Sequence, residues 1–513
     1  MFRRAMGGFA AAGMAGLGYI GDPFGPRSAA AQEQASTPQF DPETVANAAR
    51  ELAKRPHKPA PVTLPSPIAG MKPEAAAAIR FKHEHLVWAT GDTGFAIEPI
   101  HRSRVTPGQI AIYLVEDGAI RPLTFNAAQF SYEGAVPALP PETGFAGFRI
   151  LQRDDNGVLS NVCQFAAPDI YQAIGRNQVF GVVARPLSIR TADGKANDPV
   201  TIRAVWIEKP LPAQKAVVVH AIFDARPMAG VLRFTIRPGV ASIIDTECTL
   251  FARTDVAEFG LGAMAATHLS GSLNTRFFDD VRPSVHDIGG LQLHTGSGEW
   301  IWRPVANGAR LQISAFVDKD PRGFGLLQRD RRYDTYVDDV AKWHRRPSLW
   351  IEPIGKWGAG QVTLLEIPSS SQNNKNIGAY WRPAEAIAAG TERRFVFRQF
   401  WGWNPPDRPE GAIVTMSRHG KVRPDQTTKQ RRFLVQFDGG NLFDADATPD
   451  IQASVTATPG TVSNVQVYPS KAEKAVRVLF DVEPGSSPTV ELRLLLEAAQ
   501  KPVSETWLYR WTL

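Results

Sequence analysis

A chain of 513 residues with 43% hydrophobic and 21% charged residues has the make-up of a globular protein of several domains, not of a disordered or fibrous one. The formal net charge of +6 falls to about +4 once Arg3, Arg4, Arg27 and Asp22 of the leader are set aside, too little and too dispersed for a nucleic-acid footprint. Glycine at 43 and proline at 40 residues imply many turns, and they favour short strands over long helices.

Residues 1–31 read as an export signal peptide. Arg3 and Arg4 precede a Gly/Ala-rich apolar run from Ala5 to Ile20, and the small residues Ala29 and Ala31 suit cleavage before Gln32. The run is too short and too glycine-rich to span a bilayer, and the paired arginines are compatible with the twin-arginine route. The expected compartment is the periplasm of a double-membraned cell. Next, Phe40-Asp41-Pro42-Glu43 opens a helix, with Asp41 as cap and Pro42 in the first turn. Val45, Ala48, Ala49 and Leu52 continue it at helical spacing until Pro56. From Ile79 to Trp401 short apolar runs such as Val217–Val219, Leu232–Ile236 and Val362–Leu365 alternate with turn residues, so residues 32–403 read as a large all-β domain. Residues 404–412, with Pro405, Pro406 and Pro409, read as a linker. In 413–513 the alternation is cleaner: Val476, Val478, Phe480 and Val482 face one way, as do Val490, Leu492, Leu494 and Leu496, which fits an immunoglobulin-like sandwich.

Cys163 and Cys248 are the two cysteines, and their spacing leaves a disulfide and two buried thiols equally open. On a strand, His83 and His85 would share a face, but no third ligand accompanies them; no metal and no cofactor are expected. Eight tryptophans (Trp300, Trp302, Trp343, Trp350, Trp357, Trp381, Trp401, Trp403) fall between 300 and 403, interleaved with Arg, Gln, Asp and Asn. Flat aromatic faces and planar polar groups make a carbohydrate cleft, and the same rings serve equally as core.

Several blocks in order carry a family resemblance: Gly144-Phe145-Ala146-Gly147-Phe148-Arg149, Val281-Arg282-Pro283-Ser284-Val285-His286-Asp287, Gly298-Glu299-Trp300-Ile301-Trp302-Arg303-Pro304, Gly323-Phe324-Gly325-Leu326-Leu327-Gln328-Arg329-Asp330, Arg346-Pro347-Ser348-Leu349-Trp350, and Ser504-Glu505-Thr506-Trp507. Over nearly the whole mature chain the sequence resembles the periplasmic glucan biosynthesis protein family, types G and D. The resemblance implies a galactose-mutarotase-like β-sandwich, then an immunoglobulin-like sandwich, and a groove holding linear β-1,2-linked glucan. It also implies a glucan synthase of the inner membrane or another glucan-assembly protein as partner.

Some relatives resemble inverting hydrolases or transglycosylases with two aspartates, a base in His-Asp-Ser-Asp-Gly and an acid in Asn-Asp-Asn-Ile. Here the first motif stands as His286-Asp287-Ile288-Gly289-Gly290 and the second as Asn374-Lys375-Asn376-Ile377, so Asp287 keeps the base while Lys375 takes the acid position. An inverting glycosidase needs one carboxylic acid and one carboxylate about 6.5–9.5 Å apart. An ammonium is a poor proton donor at neutral pH, opposes an oxocarbenium-like transition state, and weakens a neighbouring carboxylate base. Two classes of function follow: a glucan-binding or assembly factor with a degenerate site, or an active enzyme with Asp287 as base and a replacement acid such as Asp338. Candidate sugar contacts are Arg282, His286, Trp302, Arg303, Gln328, Arg329, Tyr336, Trp350, Trp357 and Trp381. Each has a structural alternative: a loop carboxylate for Asp287, an Arg–Asp pair for Arg329 and Asp330, core packing for the tryptophans. Glu366 alternates with Leu365 and Ile367 and faces groove or solvent.

Overall fold

Asp41 caps the helix Pro42–Lys54, its side chain accepting the Glu43 N–H at 2.9 Å, with Lys54 in the last turn where a cation meets the helix dipole favourably. Val45 and Ala49 are buried against Trp206, Ile222, Val231 and Phe251 of a sheet. Arg253 fastens the helix end, donating to the carbonyls of Leu52 and Arg55 at 2.9 Å while pairing with buried Asp224 at 2.6 Å. The computed structural model describes residues 39–512, apart from 61, 134–137, 192–197, 274–278, 424, 426–428, 441 and 444–449. The export leader expected at 1–31 lies outside the described residues.

Strands dominate. One sheet of ten strands begins at Phe95–His101 and Phe145–Arg153 and ends at Phe259–Ala266, Ile377–Pro383, Ala359–Glu366 and Gln312–Lys319. A sheet of fifteen strands includes Thr201–Glu208, Val217–Asp224, Met228–Arg237, Ser242–Ala252, Glu392–Gly402, Ser348–Ile354, Gly323–Leu327, Gly290–His294 and Trp300–Pro304. Their inner faces share one core, in which Phe165 and Tyr171 of the first sheet meet Phe234 of the second at 5.3 and 4.9 Å between ring centroids. Cys163 and Cys248 lie in this core as free, buried thiols.

Beyond the proline-rich segment, Ile413–Lys421, Arg431–Asp438, Ala475–Glu483 and Thr461–Ser470 form a four-stranded sheet. The strands facing it, Thr506–Thr512, Thr489–Ala498 and Ile451–Thr458, continue the fifteen-stranded sheet, because Thr506–Thr512 pairs in parallel with Trp300–Pro304. The alternating Val476, Val478, Phe480, Val482 and Val490, Leu492, Leu494, Leu496 fill a second core together with Trp302, Leu327 and Trp350. Main-chain hydrogen bonds and side-chain packing therefore run through this boundary. His83–His85 forms a 3-10 turn instead of a strand, so its two imidazoles do not share a strand face.

Candidate functional site

Asp287 follows the two-residue strand Val285–His286, which pairs with His268–Ser270. That pairing seats Asp287 beside Thr267: its N–H donates to the Thr267 carbonyl at 3.0 Å, and its Oδ1 accepts the Thr267 N–H at 2.6 Å. The residue is 0% exposed. Its other oxygen, Oδ2, receives the Lys375 ammonium at 2.6 Å and lies 3.5 Å from Arg346 Nη1. Lys375, whose side chain keeps 24% exposure, also donates to the Gly181 carbonyl at 2.8 Å.

The lysine is held there by its neighbours. Buried Asn376 accepts the His268 N–H at 2.8 Å and donates to the carbonyls of His268 and Ile367 at 3.0 and 3.1 Å. Thr267 Oγ1 donates to the Asn374 carbonyl at 2.9 Å, so both sides of Lys375 are stapled to the segment that holds Asp287. Arg346 lies on the Trp343 ring, 3.7 Å from its centroid; burial pulls its pKa below the ordinary value, against the opposing pull of Asp287.

Behind Asp287 stands a second group. Gln328, buried, donates from Nε2 to His286 Nδ1 and to the His286 carbonyl, both at 3.2 Å, while its Oε1 has no partner. His286 stacks on His268 at 4.8 Å and meets the edge of Tyr336 at 5.0 Å. Burial lowers the pKa of both imidazoles, that of His286 well below the usual range, so both are neutral at pH 7. Tyr336 donates to the Asp330 carbonyl at 3.0 Å, and burial raises its phenol pKa. At Gly289 an added Cβ would meet nothing closer than 3.7 Å, leaving room for a side chain beside Gln328.

The remaining expected residues are spread over three other places. Asp338 accepts from Arg282 at 2.6 Å, from Trp343 Nε1 at 2.9 Å, and from the N–H groups of Val340 and Ala341 at 3.0 and 2.7 Å. Although burial acts to raise its pKa, these donors hold it below the ordinary carboxylate value, opposite to what a proton donor requires. Arg282 is shared between Asp338 and Asp280. Arg329 makes a bidentate pair with buried Glu505 at 2.5 and 2.9 Å, lies over the Trp302 ring at 3.7 Å, and so ties the large sandwich to the C-terminal strands. Asp330 pairs instead with Arg332. Arg303 is buried against Glu366 at 3.0 Å, so Glu366 faces neither groove nor solvent. Trp302, Trp350, Trp357 and Trp381 are corrected to core: all are buried, Trp302 and Trp350 in the second core, Trp357 and Trp381 in the first, their faces covered by protein.

The structure thus gathers Asp287, Lys375, His286, Gln328 and Tyr336, and adds Arg346, Thr267 and Asn376. Arg346 and Asn376 stand inside blocks already singled out by resemblance, whereas Thr267 carries no sequence signal. Chemically the cluster sets two cations against one carboxylate. The further carboxylates whose charge reaches it, Asp330 at His286 and Asp338 at Arg346, are both held below the ordinary range.

Comparison with known proteins agrees in length and order. The family described as periplasmic glucan biosynthesis protein, MdoG, matches residues 40–511. A glucans biosynthesis protein G of Rhodopseudomonas palustris (strain BisA53) is 37% identical over 509 residues, covering 98% of this chain and 99% of its own. The protein of the same description from Shewanella sp. (strain W3-18-1) is 37% identical over 481 residues, with 93% and 88% covered. Among solved structures, a polysaccharide lyase covers 71% of this chain and 44% of its own at 10% identity, with a TM-score of 0.22, too low to bear on the fold. With a match spanning 40–511 and relatives aligned nearly end to end, the chain belongs to the MdoG family of periplasmic glucan biosynthesis proteins.

Proposed function

We propose that this protein binds linear β-1,2-linked glucan in a groove of its large domain near Lys375 and Asp287 during glucan assembly, and does not cleave it. The observation that carries this reading is the 2.6 Å contact between Lys375 Nζ and Asp287 Oδ2. In an inverting mechanism Asp287 would have to polarise a water, and the acid position would have to deliver a proton to the leaving oxygen. Here one Asp287 oxygen is taken by a backbone N–H and the other by the ammonium that occupies the acid position. Family membership supports the process, periplasmic glucan biosynthesis. In this reading the large domain is of the galactose-mutarotase type and residues 413–513 form an immunoglobulin-like module after a linker at 404–412. Residues 1–31 direct export, and the module's outer face is open to an assembly partner.

The test is incubation of the mature chain with linear β-1,2-glucan, following both binding and sugar release, beside Asp287→Asn and Lys375→Asp. Binding without release is expected from the wild-type chain, and release is expected only where Lys375→Asp restores a carboxyl group. Rapid release by the wild-type chain that Asp287→Asn abolishes would overturn the proposal.

A further inference from the structure

The segment from Trp403 to Pro409 crosses a cavity of about 470 Å³ at the boundary between the large sandwich and the C-terminal strands. That volume lies within the roughly 300–1,000 Å³ typical of small-molecule sites. Its walls carry three amides (Gln292, Gln328, Asn404), the Ser348 hydroxyl and Trp403. The Gln328 amide has a fixed orientation: its Nε2 donates to the His286 carbonyl, a bond only the NH2 end can make. Its Oε1 is therefore the end left buried without a donor. Of the charged wall residues, Arg329 is neutralised by Glu505, and Asp407 accepts the Arg408 backbone N–H at 2.8 Å.

The aromatic wall is braced from behind. Arg331 lies 5.1 Å from the Trp403 ring centroid and donates to the Trp403 carbonyl at 3.0 Å and to Ser348 Oγ at 3.1 Å. Burial brings the Arg331 pKa down to about 10, which strengthens the case for a wall held by desolvated contacts. Pro405, Pro406 and Pro409 stiffen the strap. Of the tryptophans between 300 and 403, Trp403 is the one that combines partial exposure with amide and hydroxyl neighbours around a cavity.

We infer that this cavity is a second saccharide site, which shares only Gln328 with the cluster around Asp287 and takes a neutral mono- or disaccharide. A pyranose matches these walls: hydroxyls for the amides and for Ser348, and an apolar C–H face for Trp403. The choice of a sugar over another neutral polyol rests on the glucan reading above.

The test is a calorimetric titration of the full mature chain with D-glucose and with a linear gluco-disaccharide, repeated on Trp403→Ala and on Asn404→Ala, an exposed strap position. Disaccharide binding is expected in the wild-type chain, weakened about fivefold or more by Trp403→Ala and about twofold or more by Asn404→Ala. If Trp403→Ala does not fold, Trp403→Leu and Asn404→Ala decide. No binding of either sugar, or unchanged binding in the strap variants, overturns the inference. Long glucan bound without binding of either small sugar would sink this site while leaving the Asp287 reading standing; disaccharide bound without any long-glucan binding would do the reverse.

Discussion

Replacing Lys375 with methionine removes a charge while keeping most of the side chain's reach, which makes it the sharpest perturbation of the site. At 2.6 Å and an effective dielectric of about 20, the pair attracts by about 6 kcal/mol before desolvation. Holding the two ions out of water offsets several kcal/mol of that, less for Lys375, which keeps 24% exposure, than for Asp287, which has none. Lys375→Met also forfeits the bond to Gly181, while Thr267 and Arg346 remain on the carboxylate. The expected loss of stability is about 2–3 kcal/mol, and the coupling in a double-mutant cycle with Asp287→Asn is about 2 kcal/mol. Urea unfolding of the four proteins, compared at a common slope, measures both. Coupling below about 0.5 kcal/mol would mean that the ammonium is not what sustains the buried carboxylate, and the argument from neutralisation would fail.

Other consequences are independent of that pair. Arg329→Ala leaves Glu505 buried with only Gln292 and the Val414 N–H as donors, so it should cost about 3–5 kcal/mol and make the C-terminal strands the first to be cut in limited proteolysis; proteolysis unchanged from wild type would refute the clamp. Because burial lowers the folded-state pKa of His268 and His286, the unfolded chain binds protons first as pH falls below about 6.5, and stability is lost on acidification. Stability should fall between pH 7.5 and 5.5, with a pH dependence that flattens in His268→Asn; an identical slope in that variant would count against neutral burial. Thiol reagents should label neither Cys163 nor Cys248 until the chain unfolds, since both are fully buried and burial raises both thiol pKa values, that of Cys248 to about 12. Labelling of the native protein would contradict the packing.

What the sequence disclosed depended on how local the signal was. The helix at 42–54 was legible because a cap, a first-turn proline and the apolar spacing all lie within one short segment. The strand faces at 476–482 and 490–496 were legible because alternation in a half-buried strand is a two-residue property. The tryptophans were not, because composition is the same for a sugar platform and for a core ring. Register separates them: Trp302 lies over Gly290 and Trp350 over Gly323, where an added Cβ would come within 2.6 and 2.3 Å of the indole, so those glycines exist to admit rings and not sugars. Arg303 and Arg329 looked like sugar contacts for the same reason, since their partners Glu366 and Glu505 lie 63 and 176 positions away and announce themselves by no spacing. Lys375 was recognisable only because a motif marked its position; Thr267, which holds the other side of Asp287, had no such marker.

These contacts also explain how a fully buried aspartate is tolerated at position 287. A fully buried carboxylate without a cation is among the more destabilising features a core can carry, so Asp287 needs a cationic partner wherever water is excluded. Lys375 supplies that cation and makes Asp287 an anchor that ties the segments at 181, 267 and 375 together. Arg346, packed on Trp343 and bonded to the Ala341 carbonyl, extends the same anchor into the turn that Asp338 organises. The carboxylate at 287, one oxygen on a backbone N–H and the other on an ammonium, is thereby built into the scaffold as a structural joint.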